Sequence, residues 1–445
     1  THMPSQRRHC DGYSRRDLLK IGAATAFGLP FTLPQMLATE ARIDPAARQD
    51  VSFIYVFLRG GLSTIDTFDL KPDAPDTIRG PFQSIPTVVP GTHVCHLLPR
   101  VAKVVDKFSL IRSFTHNNAG HGTADHYMLT GYHPTPAFNA GLRPNNEHPS
   151  FGSVMANRLG PRGSIPPYVC LPTMHKSASS AYLGPKAVPF TIEADPNSPG
   201  FQVPDLQPPL SIDASRLENR RGLLRTIDRF HRSAEERVNA DARQLGVFAQ
   251  RATDLMTSQT AKTAFNLSAE PEKVRAQYGH NTLGQSCLMA RRLVEAGVRA
   301  VTIEHADWDT HSANFQTLEE DLLPKFDLAI PALFSDLEDR GLLEKTIVLV
   351  TGEFGRTPTI NREAGRDHWS RCFTVIMGGG GIQGGRVIGK SDATASDPDE
   401  DPYRPEDLAA TLYHLVGINH RDEMITPEGR PILLSNGGRV MEALL

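Results

Sequence analysis

The stretch TGEFGRTPTINREAGRDHWS, from Thr351 to Ser370, carries two glutamates, one aspartate, one histidine and three arginines directly after the apolar run TIVLV. Carboxylate and imidazole groups ligate divalent cations, and a guanidinium fork matches sulfate, phosphate or carboxylate. Glu353, where the chain leaves the apolar run, is a candidate metal ligand, and Arg356 a candidate oxyanion clamp. His368 is a further ligand candidate, and Asp367 either a ligand or the partner that orients one. A second stretch, EHADWDTHSANF, holds Glu304, His305, Asp307, Asp309 and His311. The spacing of His311 from either Asp307 or Asp309 lets a carboxylate and an imidazole meet on one side of a loop, a mixed ligation suited to zinc, manganese or iron. A third, FTHNNAGHGTADHYMLTGYHP, groups His116, His121, Asp125 and His126, and a helix beginning near Thr123 would turn its positive end toward a bound anion. Plainer roles compete with these. A lone histidine is commonly a hydrogen-bonded structural residue, and Glu353 could simply pair with Arg356 in a buried network.

The elements that must position these groups can be read from periodicity. VSFIYVFLRGG is an almost unbroken apolar run ending at Arg59, Gly60 and Gly61, the pattern of a strand buried on both faces. Cys287, Ala290 and Val294 share one helical face, Gly297 stops that helix, and VRAVTIEH follows as a strand. Phe326, Ile330, Leu333 and Leu337 form a second stripe, stopped by Gly341 and followed by TIVLVTGEFG; CFTVIMGGGG is a third strand candidate. Helix then strand, repeated, predicts a parallel or mostly parallel sheet covered by helices, with acidic and histidine groups at the carboxyl edge where such sheets bind ligands. The Pro-rich segments SIPPYVCLPT and NSPGFQVPDLQPPL read as loops covering the fold, residues 211–278 as a charged helical insertion, and Leu408, Leu412 and Leu415 as the face of a last helix. MGGGGIQGGR lacks the order of a phosphate-binding loop and reads as a tight turn in a loop beside the site.

Composition removes other classes. A formal net charge of -3 over 445 residues offers no broad basic field for a nucleic acid. Five scattered cysteines make neither a CxxC zinc site nor a disulfide framework, and no GxSxG nucleophile elbow is present. Near the amino terminus, after a THM tag remnant, YSRRDLLKIGAATAFGLPFTLPQMLA joins Arg15 and Arg16 to a short, Gly- and Pro-broken apolar stretch and then to small residues. This is the pattern of a twin-arginine export signal over residues 1–41, and the apolar stretch is too short and interrupted to span a bilayer.

FLRGGLSTIDTFDLKPDAPDTIRG, WDTH, GEFGRTPTIN, GRDHW, GGGGIQGGRVIGKSDAT and PEDLAATLYHLVGI, in this order, resemble the bacterial DUF1501 family, exported proteins regarded as sulfatase-like within the alkaline phosphatase superfamily. The resemblance implies a single alkaline phosphatase-like, three-layer α/β/α domain over residues 42–445. TGEFG resembles the TSDHG-like strand end of sulfatases, with Glu353 at the acidic ligand and Phe354 where an imidazole would stand. Their DxxxH pair resembles Asp307 with His311, although WDTH makes Asp309 the stronger candidate. When the sulfatase nucleophile motif is registered on Leu129, Thr130 and Gly131, His121 occupies the nucleophile position and Asp125 that of the motif's arginine. A formylglycine sulfatase is thereby disfavoured, because histidine cannot become that aldehyde. Paired aspartates at the end of the first strand are replaced by Arg59, Gly60 and Gly61, with Asp66 and Asp69 only later.

The resulting expectation is a periplasmic or secreted metal-dependent hydrolase of small-molecule or glycan sulfate or phosphate esters. Asp309, His311, Glu353 and His368 would hold zinc, manganese or calcium, with Asp307 and Asp367 in reserve. Arg356 would stabilise the oxyanion, His121 would serve as nucleophile or general acid, and Arg59, His116 and His126 would contact substrate. The alternative is a non-catalytic binder of anionic glycans using Arg59, Arg356 and Arg366.

Overall fold

The structure, a computed structural model, describes residues 50–142, 145, 147–203, 255 and 258–445. The expected export signal and the greater part of the helical insertion lie outside the described residues. At the end of that insertion the described chain forms two short helices, Gln259–Ala264 and Glu272–Tyr278.

Eight strands make the main sheet: β1 (Ser52–Leu58), β2 (Phe108–Phe114), β3 (Tyr168–Leu171), β4 (Phe190–Thr191), β5 (Ala300–His305), β6 (Thr346–Thr351), β7 (Phe373–Gly378) and β8 (Val387–Ile388), in the spatial order β8-β2-β7-β6-β1-β5-β3-β4. β1 lies between β5 and β6 and runs parallel to both. Its side chains alternate between two cores, as the period of two requires. Ile54, Val56 and Leu58 pack with helices α3 (Thr282–Glu295) and α4 (Leu323–Asp339). Phe53, Tyr55 and Phe57 pack with α1 (His121–Thr130), α2 (Phe151–Leu159) and α5 (Pro405–Leu415) on the other face. Two cores on two faces of one sheet make a three-layer α/β/α sandwich.

Two expectations change. SIPPYVCLPT is not loop throughout, because Tyr168–Leu171 pairs with β5 as a fully buried strand whose prolines lie outside the paired residues, where a missing N–H costs no ladder bond. The other change concerns β7, which runs antiparallel to both neighbours, β6 and β2. No crossover helix separates β6 from β7; the chain instead makes a small ribbon, Gly355–Arg356 against His368–Trp369, and re-enters the sheet from the edge it left. The glycine run after β7 is indeed a tight turn, with Gly379 to Gly381 at positive φ. It sits at the opposite edge, beside the start of β6, where a Cβ on Gly379 would lie 2.2 Å from the Thr346 carbonyl. This reversal keeps the whole of residues 352–370 at the carboxyl ends of β1, β5 and β6.

Candidate metal centre

Register places the relevant loops together. Leu58 pairs with His305 and Phe57 with Thr351, so the loops that follow β1, β5 and β6 leave the sheet side by side. β2 ends at the same edge, because Phe114 pairs with Phe373 at the start of β7, and α1 begins shortly after it.

After β1 the chain turns through Gly60 at φ +115, and a Cβ there would come within 2.3 Å of the Asp309 nitrogen. Only glycine fits that approach. The Gly60 N–H donates to both carboxylate oxygens of Glu353 at 3.0 Å. Glu353 is fully buried, and burial followed by the neighbouring Asp125 raises its pKa. Its Oε1 lies 2.6 Å from Nδ1 of His121, the first residue of α1. That hydrogen bond is the main reason the His121 pKa is raised. A carboxylate at Nδ1 fixes the proton there and turns the Nε2 lone pair outward. Nε2 then lies 3.1 Å from Oδ2 of Asp309.

Two more imidazoles repeat the device. His311 presents Nδ1 to Asp367 Oδ1 at 2.6 Å, and His368 presents Nδ1 to the Ala119 carbonyl at 2.8 Å. Their outward Nε2 atoms lie 2.9 Å apart, and each is 3.1 Å from Asp309 Oδ1. With both Nδ1 atoms protonated, neither neutral ring has an Nε2–H to donate, so only a proton or a cation makes that approach favourable. The ligand atoms of His121, Asp309 and His368 all lie within 4.8 Å of one another, as a shared metal ion requires. Burial opposes ionisation of Asp309, but Arg356 first, then His121 and His368, hold its pKa down to about 2. Asp309, His121 and His311 are each about four-tenths exposed, so the cluster opens to solvent.

Phe354 floors the cluster, its ring 4.4 Å from that of His368 and 5.2 Å from that of His121. Trp308 is 1% exposed and donates its indole N–H to His305 Nδ1 at 2.9 Å. This anchor sets Asp309 on the cluster, while Asp307, with φ +76, is exposed and joined to the cluster by no hydrogen bond or ion pair among the described residues.

The other candidates fall elsewhere. The Arg356 side chain is 0% exposed and binds carbonyls of Gly60, Gly61, Trp308 and Arg366 as well as Asp309, which lies 2.5 Å away. It ties the strand-end loops together, so the expected oxyanion clamp has no reach to a substrate. Glu353 is turned to Gly60 and His121 rather than into the ligand cluster. Arg366 is likewise buried, its fork closed on Asp66 at 2.8 Å through two nitrogens. Arg59 is half exposed and pairs with Glu304 at 3.1 Å. His116 is buried and bonds the Glu353 carbonyl at 2.7 Å; burial lowers its pKa to about 4. His126 is 0% exposed with neither ring nitrogen hydrogen-bonded among the described residues, and its pKa is lowered by burial to about 3. Neither of these two histidines can touch a substrate where it stands.

Asn361 escaped the sequence reading. It holds the His311 carbonyl at 2.8 Å and closes its own turn by accepting from Glu363 and Gly365. The asparagine–glycine pairing in NREAG was the only signal for that turn. A Cβ on Gly365 would lie 1.8 Å from the His311 carbonyl oxygen, so this turn and the His311 loop require each other.

A family model described as a protein of unknown function, DUF1501, matches residues 50–445. The comparison with curated proteins returned no match. Among solved structures, the chain is similar to a protein in the alkaline phosphatase superfamily from Vibrio parahaemolyticus (9% identity, 87% of this chain and 69% of that chain, TM-score 0.40). It is also similar to a phosphonate monoester hydrolase from Silicibacter pomeroyi (12%, 89% and 76%, 0.37) and to a sulfatase from Pseudoalteromonas sp. (12%, 87% and 72%, 0.37).

Proposed function

The chain belongs to the DUF1501 family, and from that premise we propose that it is an exported, metal-dependent hydrolase of sulfate or phosphate esters. One observation carries the proposal: the Nε2 atoms of His121, His311 and His368 converge on the carboxylate of Asp309, and each ring's other nitrogen faces a carboxylate or carbonyl. Three imidazoles and one carboxylate suit zinc or manganese, and are too rich in nitrogen for calcium. A divalent cation held by these four side chains would supply a Lewis acid for an ester oxygen and for water.

The chain's own part is positional. Glu353 holds His121, Asp367 holds His311, and the Ala119 carbonyl holds His368. Arg356, then His121 and His368, hold the Asp309 carboxyl below its ordinary pKa, which favours the charge that would retain a cation. His121 is a ligand in this reading, not the nucleophile, and attack falls to water. With Arg356 and Arg366 buried, a glycan binder built on three arginines would keep only Arg59 at the surface, which favours the hydrolase.

Elemental analysis of purified protein supplied with zinc or manganese, with parallel assays on 4-nitrophenyl sulfate and 4-nitrophenyl phosphate, tests the proposal. About one metal per chain and metal-dependent turnover of one of the two esters are expected. A chain that takes up neither metal, or hydrolyses neither ester when loaded, overturns it.

A further inference from the structure

Away from the histidine cluster, a cavity of about 810 Å³ opens between the segment after β1, strand β2 and the hairpin at residues 390–400. On its floor one buried carboxylate, Asp69, faces two cations. Lys71 Nζ is 3.0 Å from Asp69 and 2.6 Å from Ser391 Oγ, which itself donates to Asp69. Arg112, on β2, reaches Asp69 only at 3.6 Å. Among the described residues its Nε is buried without a hydrogen bond, and its one hydrogen bond is from Nη2 to the His93 carbonyl, at a long 3.4 Å. The Arg112 side chain is 23% exposed, which leaves its outer donors to water, but an N–H buried unpaired at Nε is unfavourable unless a ligand completes the fork.

The acids of the wall do not fill that role. Asp392 is occupied by the N–H groups of Thr394, Ser396 and Asp397, and Asp399 and Glu400 share Lys390 at the solvent-exposed mouth. On the floor the partly buried Lys71 and Arg112 outnumber Asp69 by one charge, while the half-buried Asp392 and the exposed Asp399 and Glu400 outnumber Lys390 toward the mouth. Buried charge dominates, since screening by water and salt is weakest there.

We propose that this cavity is an oxyanion-binding subsite in which Arg112 and Lys71 hold a sulfate, phosphate or carboxylate head. The head is either a free ion or the same group carried on a sugar, whose hydroxyls would donate to Asp399 and Glu400 at the mouth. The proposal goes beyond the hydrolase reading and does not rest on it, because no residue of the histidine cluster lines the cavity. The two regions are nevertheless mechanically joined. Trp369, next to His368, donates its indole N–H to the Ser396 carbonyl at 2.8 Å, and Arg371 pairs with Asp397.

Calorimetric titration of the full chain with inorganic sulfate and, separately, glucose 6-sulfate, at constant ionic strength set with chloride, tests this. Binding of at least one probe is expected, weakened at least about tenfold by Arg112→Gln or by Lys71→Met, with metal content unchanged. Tighter binding of glucose 6-sulfate assigns the site to sugar-borne groups, and equal binding assigns it to the free ion. Lys71→Met serves where Arg112→Gln fails to fold, as judged by circular dichroism. Absence of binding by the parent protein to either probe overturns the proposal, as does unchanged binding in a folded variant.

Discussion

Two sets of histidines lie close together in this protein and differ in burial and in whether a ring nitrogen is left aimed at Asp309. In His121, His311 and His368 one nitrogen is held by Glu353, Asp367 or the Ala119 carbonyl, and the other is aimed at Asp309 beside open solvent. His116 and His126 are buried and His148 and His305 half-buried, and desolvation lowers their pKa values to about 4, 3, 4 and 4. His121 and His126 stand on the same helix, one turn and a half apart. A ring held at Nδ1 with Nε2 aimed at a shared carboxylate is placed to ligate, whereas a desolvated ring turned to other partners, as His116 is to the Glu353 carbonyl, stays a neutral structural group. Residue type and local spacing are the same in both sets, so the distinction lies wholly in tertiary neighbours.

The sharpest way to break the comparison is to remove the shared acceptor. Asp309→Asn is expected to abolish stoichiometric zinc or manganese uptake, read by elemental analysis, while His126→Leu leaves it intact. Removing an outer partner acts less severely. Asp367→Asn and Glu353→Gln are each expected to weaken metal affinity by roughly 10- to 100-fold, read by competition with a chelating dye. If Glu353→Gln had no effect on metal affinity, the assignment of Glu353 as the group that orients His121 would fail.

The buried set is tested by pH. A histidine whose folded pKa lies below its unfolded value of about 6.5 leaves the unfolded chain with the extra proton between those two values. Stability is therefore level above about pH 6.5 and falls as pH drops toward 4 for His116 and toward 3 for His126. Urea midpoints measured from pH 7 to 4 should decline, and His126→Leu should make the decline shallower. An unchanged slope would show that His126 is not buried neutral. The smallest effect is expected at the surface: Arg59→Ala, which breaks the half-exposed pair with Glu304, should change unfolding free energy by only about 0–1 kcal/mol. By contrast, Asp66→Ala strands the buried Arg366 and should cost about 3–5 kcal/mol.

Much of the sheet was legible in the chain. The unbroken apolar runs at residues 52–58 and 346–351, and the stripes that became α3 and α4, follow from period and burial alone. The strand inside SIPPYVCLPT was not legible, because its flanking prolines are the strongest loop signals available and only pairing with β5 outweighs them. Nor was the direction of β7, since an apolar run has no preferred sense until its neighbours hydrogen-bond to it.

By itself, then, the sequence determined which groups gather at one sheet edge: histidines and acids placed just after apolar runs must emerge where those runs end. The tertiary structure decided what each does. Glu353 was readable as an acid at a strand end, but only the Gly60 N–H and His121 Nδ1 make it an orienting group. Arg356 was readable as a fork, but four carbonyls and Asp309 make it a tie between loops. The physical reason is that ligation, orientation and pKa depend on atoms within about 3 Å, and those atoms come from segments far apart in the chain.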